Sequence, residues 1–421
     1  PNCSKILRSF EGRMTRMWIV SLCCAFAIVL PLAALTASDT PVVSKEAHDL
    51  HFRSIVIDTH DDTTQRLLDP AFDIGVRHAD GNIDIPRMRE GGLGAIFFSI
   101  YIPGTITGPE AVKQALDQID AVREAVAKHP DDLMLARTAD DIRRAHRERK
   151  IAALMGVEGG HMIADDLSVL GIYAALGVRY MTLTHMVNTD WGDSSTDKPA
   201  HNGLTDFGKQ VVREMNRLGI MVDISHVSDK TFYDALAVSQ APLIASHSDC
   251  RALCNAPRNM TDDMIRALAS KGGVIQINYH SGFLSNQYRA ADTPEIDKEI
   301  DAEVAKRCAG KVGCDEVEGN TVTREFMAQG KLPRVDWTAI VDNIDHAVKV
   351  GGIDHVGLGS DFDGSVMPFG MEDASHLPQI TDALLKRGYA PADIQKILGG
   401  NTLRVMEAAE ATARRLQGEK L

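Results

Sequence analysis

The chain lacks a surplus of basic residues, low-complexity tracts and obvious short-period repeats. Its 45 lysines and arginines are outnumbered by 58 aspartates and glutamates, which gives a formal net charge of −13 at pH 7. Because phosphate backbones and anionic lipids repel such a chain, nucleic acid binding and membrane-surface binding are disfavoured. With 44% hydrophobic and 24% charged residues, the composition is that of an ordinary globular protein. Small molecules remain as the expected binding partners.

Cysteine is scarce, and the spacing of the seven cysteines does not match a zinc finger. Three of them lie within the first 24 residues, and the others are Cys250, Cys254, Cys308 and Cys314. The short interval between Cys308 and Cys314 suits a disulfide in an exported protein, although the sequence alone leaves the connectivity open.

Long uncharged runs are also absent, apart from one near the N-terminus. Two arginines precede the run from Trp18 to Leu35, and small residues follow it. This pattern predicts a signal peptide over residues 1–37 and a single catalytic domain over 38–421, with a net charge of −16 once the leader is removed. An uncleaved membrane anchor is the alternative, because the run nearly reaches the length of a membrane span. Either way, export is predicted, with the protein periplasmic or secreted.

Apolar runs of strand length alternate with amphipathic helical segments from residue 54 onward. Eight runs are predicted to be strands: 55–58, 93–100, 151–157, 178–184, 220–225, 243–246, 274–278 and 355–359. Most are continuous and rich in valine, isoleucine and leucine, as strands buried on both faces require. Between them, Val112, Leu116 and Ile119 lie on one face of a predicted helix, and Thr261 is a predicted N-cap. The pattern predicts an α/β fold, a (β/α)8 TIM-type barrel, with an open doubly wound sheet as the alternative.

Two segments interrupt this alternation. Residues 191–203 are polar and too long for a tight turn, so we expect a loop over the barrel mouth. Residues 285–333 form a longer charged insertion that contains Cys308 and Cys314. A lid and an oligomer contact, as in a homodimer, are the two roles left open for it.

Polar residues of the types used in catalysis follow the C-terminal ends of the predicted strands. They are His60 and Asp62 after the first strand, Glu158 after the third, His185 after the fourth, His226 after the fifth, His247 after the sixth, Tyr279 after the seventh and Asp361 after the eighth. Each alone is explained as a hydrogen-bonded structural residue or a cap. Their coincidence at the end of a barrel where active sites form favours one shared site.

Imidazole and carboxylate without thiolate predict zinc, with manganese, cobalt or iron as alternatives. His60 and Asp62 lie two residues apart on a strand, so both side chains can reach one ion. His226 and His247 can bind a second ion, and Glu158 is placed to bridge the pair. We therefore predict two Zn²⁺ ions per chain. Such ions can share a water and lower its pKa toward ~7, so that a bridging hydroxide attacks the substrate.

Four other residues receive predicted roles in substrate binding and proton transfer. Asp361 is expected to take the proton from the bridging hydroxide and pass it to the leaving nitrogen, and His185 can stabilise an oxyanion. Arg258, in the loop after the sixth strand, can bind a substrate carboxylate, and Tyr279 is a further candidate for substrate binding. No Gly-x-Ser-x-Gly elbow accompanies the histidines, so serine hydrolase chemistry is the weaker hypothesis.

These motifs resemble the membrane (renal) dipeptidases, zinc peptidases of the amidohydrolase-like barrel superfamily. The matching stretches lie at 57–62, 156–160, 179–185, 188–189, 203–208, 222–228, 245–248, 258–259, 355–364 and 400–405. They occur in family order over nearly the whole mature chain. The resemblance implies that His60, Asp62, His226, His247 and the bridging Glu158 bind zinc. It also implies that His185 and Arg258 bind the substrate and that Asp361 transfers the proton.

The predicted function is hydrolysis of dipeptides with a free C-terminal carboxylate, including those with a C-terminal D-residue, as the resemblance implies. One alternative is a metal-dependent hydrolase of N-acyl amino acids or other small amides, including β-lactams, because barrel and metals do not fix the acyl group. The other is an exported metal-binding protein without catalysis. The C-terminal residues lack the hydrophobic tail that signals a glycolipid anchor in mammalian members, so a bacterial periplasmic or secreted enzyme is expected.

Overall fold

The computed structural model describes residues 42–310 and 314–418. The predicted signal peptide lies outside these residues, and the domain boundaries stay predictions. Among the described residues are nine strands: β1 (Val56–Asp61), β2 (Leu93–Tyr101), β3 (Leu133–Leu135), β4 (Ile151–Glu158), β5 (Val178–Thr182), β6 (Met221–Asp223), β7 (Ile244–Ser248), β8 (Val274–Ile277) and β9 (Val356–Leu358).

Eight of these strands close into a parallel barrel. Strand β1 pairs with β2 on one side and with β9 on the other, and β2 also pairs with β4 from Ala95–Ala152 to Tyr101–Glu158. The remaining pairs follow chain order from β4 to β9. Because the sheet returns to its first strand, the predicted (β/α)8 barrel is confirmed, and the open doubly wound alternative is wrong.

Strand β3 stands outside the barrel and is not predicted from the sequence. It pairs with the first residues of β4, from Leu133–Ile151 to Leu135–Ala153. Strand β5 pairs with later residues of β4, from Met155 to Glu158, along the same edge. Three residues are too few to show a period-two pattern. The predicted strand over 220–225 also extends beyond β6, because the backbone amide of Ser225 turns to bond the Asp223 side chain.

Helices connect the strands, as parallel pairing requires. The longer helices are α1 (Lys45–Arg53), α4 (Gly108–Lys128), α5 (Ala139–Arg147), α6 (Leu167–Leu176), α7 (Asp206–Leu218), α8 (Asp229–Val238), α9 (Asp262–Ser270), α12 (Pro294–Arg307), α13 (Asp315–Ala328), α14 (Thr338–Gly351), α15 (Pro378–Lys386) and α17 (Asn401–Leu416). Shorter ones are α2 (Thr64–Leu67), α3 (Ile85–Glu90), α10 (Ser281–Leu284), α11 (Asn286–Ala291) and α16 (Pro391–Gln395). The predicted cap at Thr261 is confirmed, because its hydroxyl accepts from the Met264 amide.

The hydrophobic core reaches the residues at the strand ends. Ile57, Phe97, Leu154 and Tyr180 are fully buried in one cluster. The hydroxyl of Tyr180 lies 2.7 Å from Nδ1 of His60, so this cluster directly supports a candidate ligand. A Cβ at Gly156 would lie 1.9 Å from the Tyr180 ring, so only glycine permits this packing.

The insertion contains helices α11, α12 and α13. Cys308 and Cys314 form a disulfide between α12 and α13, as their spacing suggested, while Cys250 and Cys254 are free and buried. From α13, the Arg324 guanidinium donates to the Met367 carbonyl and to Glu372. The insertion therefore packs against the segment that follows β9.

Candidate active site

The C-terminal ends of the barrel strands surround a cavity of about 200 Å³. Its lining includes five of the predicted site residues: Asp62, Glu158, His185, His226 and Asp361. It also includes residues that are not predicted from the sequence: Tyr101, Met186, His280, Phe283, Gly364 and Ser365. Most of these lie in loops, where the strand pattern gives no register.

The carboxylate of Glu158 lies between two groups of candidate ligands. Its Oε2 atom is 3.4 Å from His60 Nε2, and Asp62 Oδ2 is 3.5 Å from the same nitrogen. Its Oε1 atom is 3.2 Å from His226 Nε2 and 3.3 Å from His247 Nε2. Each oxygen of one carboxylate therefore faces a different pair of ligands, which is the arrangement that a bridging carboxylate requires.

Three more predicted residues lie beside this centre. Asp361 Oδ1 is 4.0 Å from His60 Nε2, and its other oxygen accepts from the Asn278 amide at 2.9 Å. His185 Nε2 is 3.5 Å from Glu158 Oε1. The Nη2 atom of Arg258 is 2.9 Å from His226 Nε2, and the guanidinium stacks on Phe283.

Tyr279 is a predicted site residue that does not line the cavity; His60, His247 and Arg258 do not line it either, but each lies within 3.5 Å of a residue that does. The side chain of Tyr279 is fully buried, and its ring packs edge-on against Phe362. The preceding Asn278 makes the contact to Asp361 instead. Tyr279 follows Asn278 directly, and successive side chains at a strand end point to opposite sides. Substrate binding by Tyr279 is therefore not supported by its position.

A buried carboxylate at the end of β6, Asp223, supports His247 of β7 through Ser246 and is not predicted from the sequence. Asp223 accepts hydrogen bonds from the amides of Ser225 and Ser246 and from the Ser246 hydroxyl. That hydroxyl also lies 2.8 Å from His247 Nδ1. If Nδ1 carries the proton, Nε2 of His247 keeps its lone pair toward Glu158. A charged residue inside an apolar strand was the signal in the sequence.

Two residues at the cavity adopt backbone conformations that are uncommon for side chains other than glycine. His226 and Asp361 both have φ of 65°. Such left-handed residues are strained, and they cluster at functional sites where the surrounding structure holds them. The left-handed backbone at these two positions changes the direction of both side chains just after their strands end.

Burial dominates the electrostatics of the site. It lowers the pKa of His185 to about 3 and lowers the pKa of both His226 and His247 well below the usual range. Burial also raises the pKa of Glu158 to about 7, partly opposed by His60, and raises the pKa of Asp361. The pKa of His60 is instead raised well above its usual range, because the nearby Tyr180, Glu158 and Asp62 outweigh its burial. The site thus combines the neutral imidazoles of His185, His226 and His247 with a cluster of carboxylates around His60.

These properties fit bound metal. His60 Nε2 and Asp62 Oδ1 are buried and make no hydrogen bond within the described residues. Three overlapping sets of ligand atoms each lie within 4.8 Å of one another: His60–Glu158–His247, Glu158–His185–His226 and His60–Asp62–Asp361. Metal ions bind imidazole in its neutral form and carboxylate in its charged form, so divalent cations would compensate the buried donors.

The family model described as membrane dipeptidase (peptidase family M19) matches residues 44–420. The chain belongs to the membrane dipeptidase family. The resemblance inferred from the motifs is thereby confirmed. Among related members, dipeptidase 3 of Mus musculus is 34% identical over 354 residues, covering 82% of this chain and 62% of the mouse protein. The match thus spans less than two thirds of that relative. Dipeptidase tcpJ of Claviceps purpurea is 36% identical over 354 residues, covering 80% of this chain and 72% of its own.

Solved structures of peptidases are similar to this chain over most of its length. The probable dipeptidase PvdM from Pseudomonas aeruginosa superposes with a TM-score of 0.75 at 29% identity, covering 87% of this chain and 98% of its own. A metallo peptidase from Rhodobacter sphaeroides, liganded with a phosphinate mimic of the dipeptide L-Ala-D-Ala, gives a TM-score of 0.70 at 26% identity, with coverage of 85% and 99%.

The name of the membrane dipeptidase family raises the question of a membrane span in this chain. Within residues 42–310 and 314–418, no helix combines the length and the hydrophobicity needed to cross a bilayer. The apolar run 18–35 lies outside these residues.

Proposed function

We propose that this protein is a zinc-dependent dipeptidase that uses two ions per chain. The observation that carries the proposal is the position of Glu158, whose two oxygens face His60 and Asp62 on one side and His226 and His247 on the other. These five side chains would hold the metal. When bound, the ions would supply a water-derived nucleophile at neutral pH and polarise the substrate carbonyl.

The remaining residues of the cavity support peptide hydrolysis. Asp361 has one oxygen fixed by Asn278, which leaves Oδ1 to take up a proton and deliver it to the leaving amine. His185 is neutral because burial lowers its pKa to about 3, so its ring N–H can stabilise the oxyanion of a tetrahedral intermediate.

Arg258 is placed to bind the substrate C-terminal carboxylate. Its side chain is buried, and its Nε and Nη1 atoms make no hydrogen bond within the part of the chain that the structure describes. A planar guanidinium binds a carboxylate through two parallel hydrogen bonds, and burial strengthens them. The substrate carboxylate would accept the hydrogen bonds that these two nitrogens of Arg258 can donate.

The size of the cavity and one relative support dipeptides as substrates. A volume of about 200 Å³ lies below the range of roughly 300–1,000 Å³ that is usual for drug-sized ligands. The Rhodobacter sphaeroides relative binds a mimic of L-Ala-D-Ala, so we include dipeptides with a C-terminal D-residue among the proposed substrates.

We also propose that the protein is exported. The uncharged run 18–35 and the disulfide between Cys308 and Cys314 both support this location, because disulfides persist in oxidising compartments.

A substrate panel tests the proposed function. The protein, loaded with zinc, is incubated with L,L and L,D dipeptides, tripeptides, N-acetyl amino acids and a β-lactam, and released amine is measured. We expect cleavage of dipeptides with a free carboxylate and little cleavage of the rest. Preferential cleavage of N-acetyl amino acids or the β-lactam would replace the proposal with the amide hydrolase alternative.

A further inference from the structure

Two loops meet at the rim of the cavity beside Arg258. One is the segment after β6, which carries His226 and leads into α8. The other is the Arg258 loop, residues 249–261, which follows β7. Their inner contact is the 2.9 Å approach of Arg258 Nη2 to His226 Nε2. The Arg258 loop is closed at its base because the Met260 amide donates to the Asp249 carbonyl at 2.8 Å.

A second arginine holds the backbone on both sides of Arg258. The Nε atom of Arg251 donates to the Asn259 carbonyl at 2.7 Å, and its Nη2 atom donates to the Pro257 carbonyl at 2.6 Å. These are the two residues adjacent to Arg258 in the chain. One guanidinium therefore fixes the peptide groups that flank the proposed carboxylate-binding residue.

The same guanidinium also joins the two loops. Its terminal nitrogens bind both carboxylate oxygens of Asp229, at 2.8 and 2.6 Å. Asp229 is the first residue of α8 and follows His226 by three positions. Because a bidentate arginine–carboxylate pair has a defined geometry, it keeps the Arg258 loop in register with the segment that carries His226.

The Arg251–Asp229 pair becomes more important for the position of the Arg258 loop when metal is bound at the site. If His226 binds an ion through Nε2, that nitrogen has no lone pair left to accept from Arg258. The inner contact between the loops is then lost, and the guanidinium of Arg258 is free to bind the substrate. The bonds of Arg251 do not involve the candidate ligands, so they persist.

We propose that Arg251 is a positioning residue, which sets the place of Arg258 and thereby the preference for substrates with a free C-terminal carboxylate. The proposal rests on the proposed function. Arg251 does not line the cavity, so it acts through the backbone of Pro257 and Asn259. Loss of Arg251 should weaken recognition of the carboxylate and leave the chemistry at the scissile bond largely unchanged.

The test compares each dipeptide with its C-terminal amide in the zinc-loaded protein. For Arg251→Ala we expect an approximately tenfold higher KM for the free acid. The reason is that a displaced Arg258 loses a charged hydrogen bond to the substrate carboxylate. We expect kcat for the free acid within about twofold of wild type. On the C-terminal amide, kcat and KM should both match wild type within about twofold, because the amide has no carboxylate for Arg258 to bind. A general structural defect would instead lower activity on acid and amide alike.

Binding supplies a readout that does not depend on turnover. Calorimetry of a phosphinate dipeptide mimic with a free carboxylate should show about tenfold weaker binding to Arg251→Ala, at unchanged zinc content. Arg251→Lys should recover only part of the affinity, because an ammonium cannot reproduce the planar fork. If Arg251→Ala does not fold, Arg251→Lys and Asp229→Asn provide the same comparison, with smaller effects in the same direction.

Arg387→Ala is the matched control, since Arg387 pairs with Asp342 and Asp345 away from the cavity. It should leave the acid-to-amide ratio of kcat/KM at the wild-type value. Unchanged KM for the acid in all Arg251 variants, or equal losses on acid and amide, would overturn the positioning role. A wild-type protein that cleaves no dipeptide would overturn the proposed function itself, and this role with it.

Discussion

Glu158 is the side chain on which both halves of the proposed metal pair depend. Replacement by glutamine keeps its size but removes the charge, so one oxygen is lost as a ligand. We expect Glu158→Gln to fold, to bind less than two zinc ions per chain, and to lose at least ~10³-fold in kcat. Circular dichroism, metal analysis and dipeptide kinetics measure these effects.

Glu124 provides the control for this substitution, because it is exposed on α4. Glu124→Gln should keep wild-type turnover and metal content. If Glu158→Gln also retained both, a bridging role for Glu158 would be untenable.

Asp361 is the proposed proton carrier, and its replacement should separate chemistry from binding. Asparagine preserves the shape and keeps a carbonyl oxygen for Asn278, but it cannot carry the proton. General acid–base catalysis contributes typically 10²–10⁴-fold, so we expect kcat of Asp361→Asn to fall at least about 100-fold with KM near wild type. Steady-state kinetics at equal zinc content test this. A kcat within about threefold of wild type would remove Asp361 from the proposed mechanism.

The side chains of the site were predictable to different degrees. Residues on or directly after strands, such as His60, Glu158 and His247, lie together because the ends of parallel strands meet at one face of a barrel. His280 and Phe283 were not predictable, since the conformation of a loop or of a single helical turn such as α10 depends on tertiary contacts. The direction of the Tyr279 side chain was not predictable either, because a shift of one residue at a strand end moves a side chain to the opposite face.

The packing of α1 against α15 contains a buried histidine that should make stability depend on pH. His51 Nε2 donates to the Gly91 carbonyl, so Nδ1 accepts from Thr381 and the ring is neutral. Burial lowers its pKa to about 4. The unfolded chain binds the proton first, so this stability is present above pH 6.5 and is lost as the pH falls toward 4.

Urea unfolding at pH 7.5 and pH 5 checks this. Wild type should lose about 2 kcal/mol more of its unfolding free energy over this interval than His51→Gln does. His48→Gln, at an exposed position of α1, should behave like wild type. An identical pH dependence in His51→Gln would contradict the assignment.

The cysteines of the insertion and of the Arg258 loop should differ in their reactivity. Cys308 and Cys314 form a disulfide, whereas Cys250 and Cys254 are free thiols whose pKa burial raises, that of Cys254 to about 11. In protein expressed from residue 38, we expect two thiols to react with Ellman's reagent after denaturation and almost none before it. Four reactive thiols in the unreduced, denatured protein would exclude the disulfide.

The order of elements along the chain was predictable because each barrel strand is a continuous apolar run followed by a helix. Strand β3 was not, since it has three residues and pairs outside the barrel. The packing of the insertion against the segment after β9 was also not predictable. Beside the ion pair of Arg324 with Glu372, Arg324 and Asn320 bind this segment through backbone carbonyls. Any residue type supplies such a carbonyl.

The whole molecule should remain folded without its metal, because the barrel core does not include the candidate ligands. The dependence of hydrolysis on two zinc ions is tested by a zinc titration of chelator-treated protein, with dipeptide hydrolysis and circular dichroism followed at each step. We expect a folded but inactive apoprotein and full recovery of hydrolysis at two zinc ions per chain. Full turnover by the metal-free protein, or none with both ions bound, would contradict this dependence.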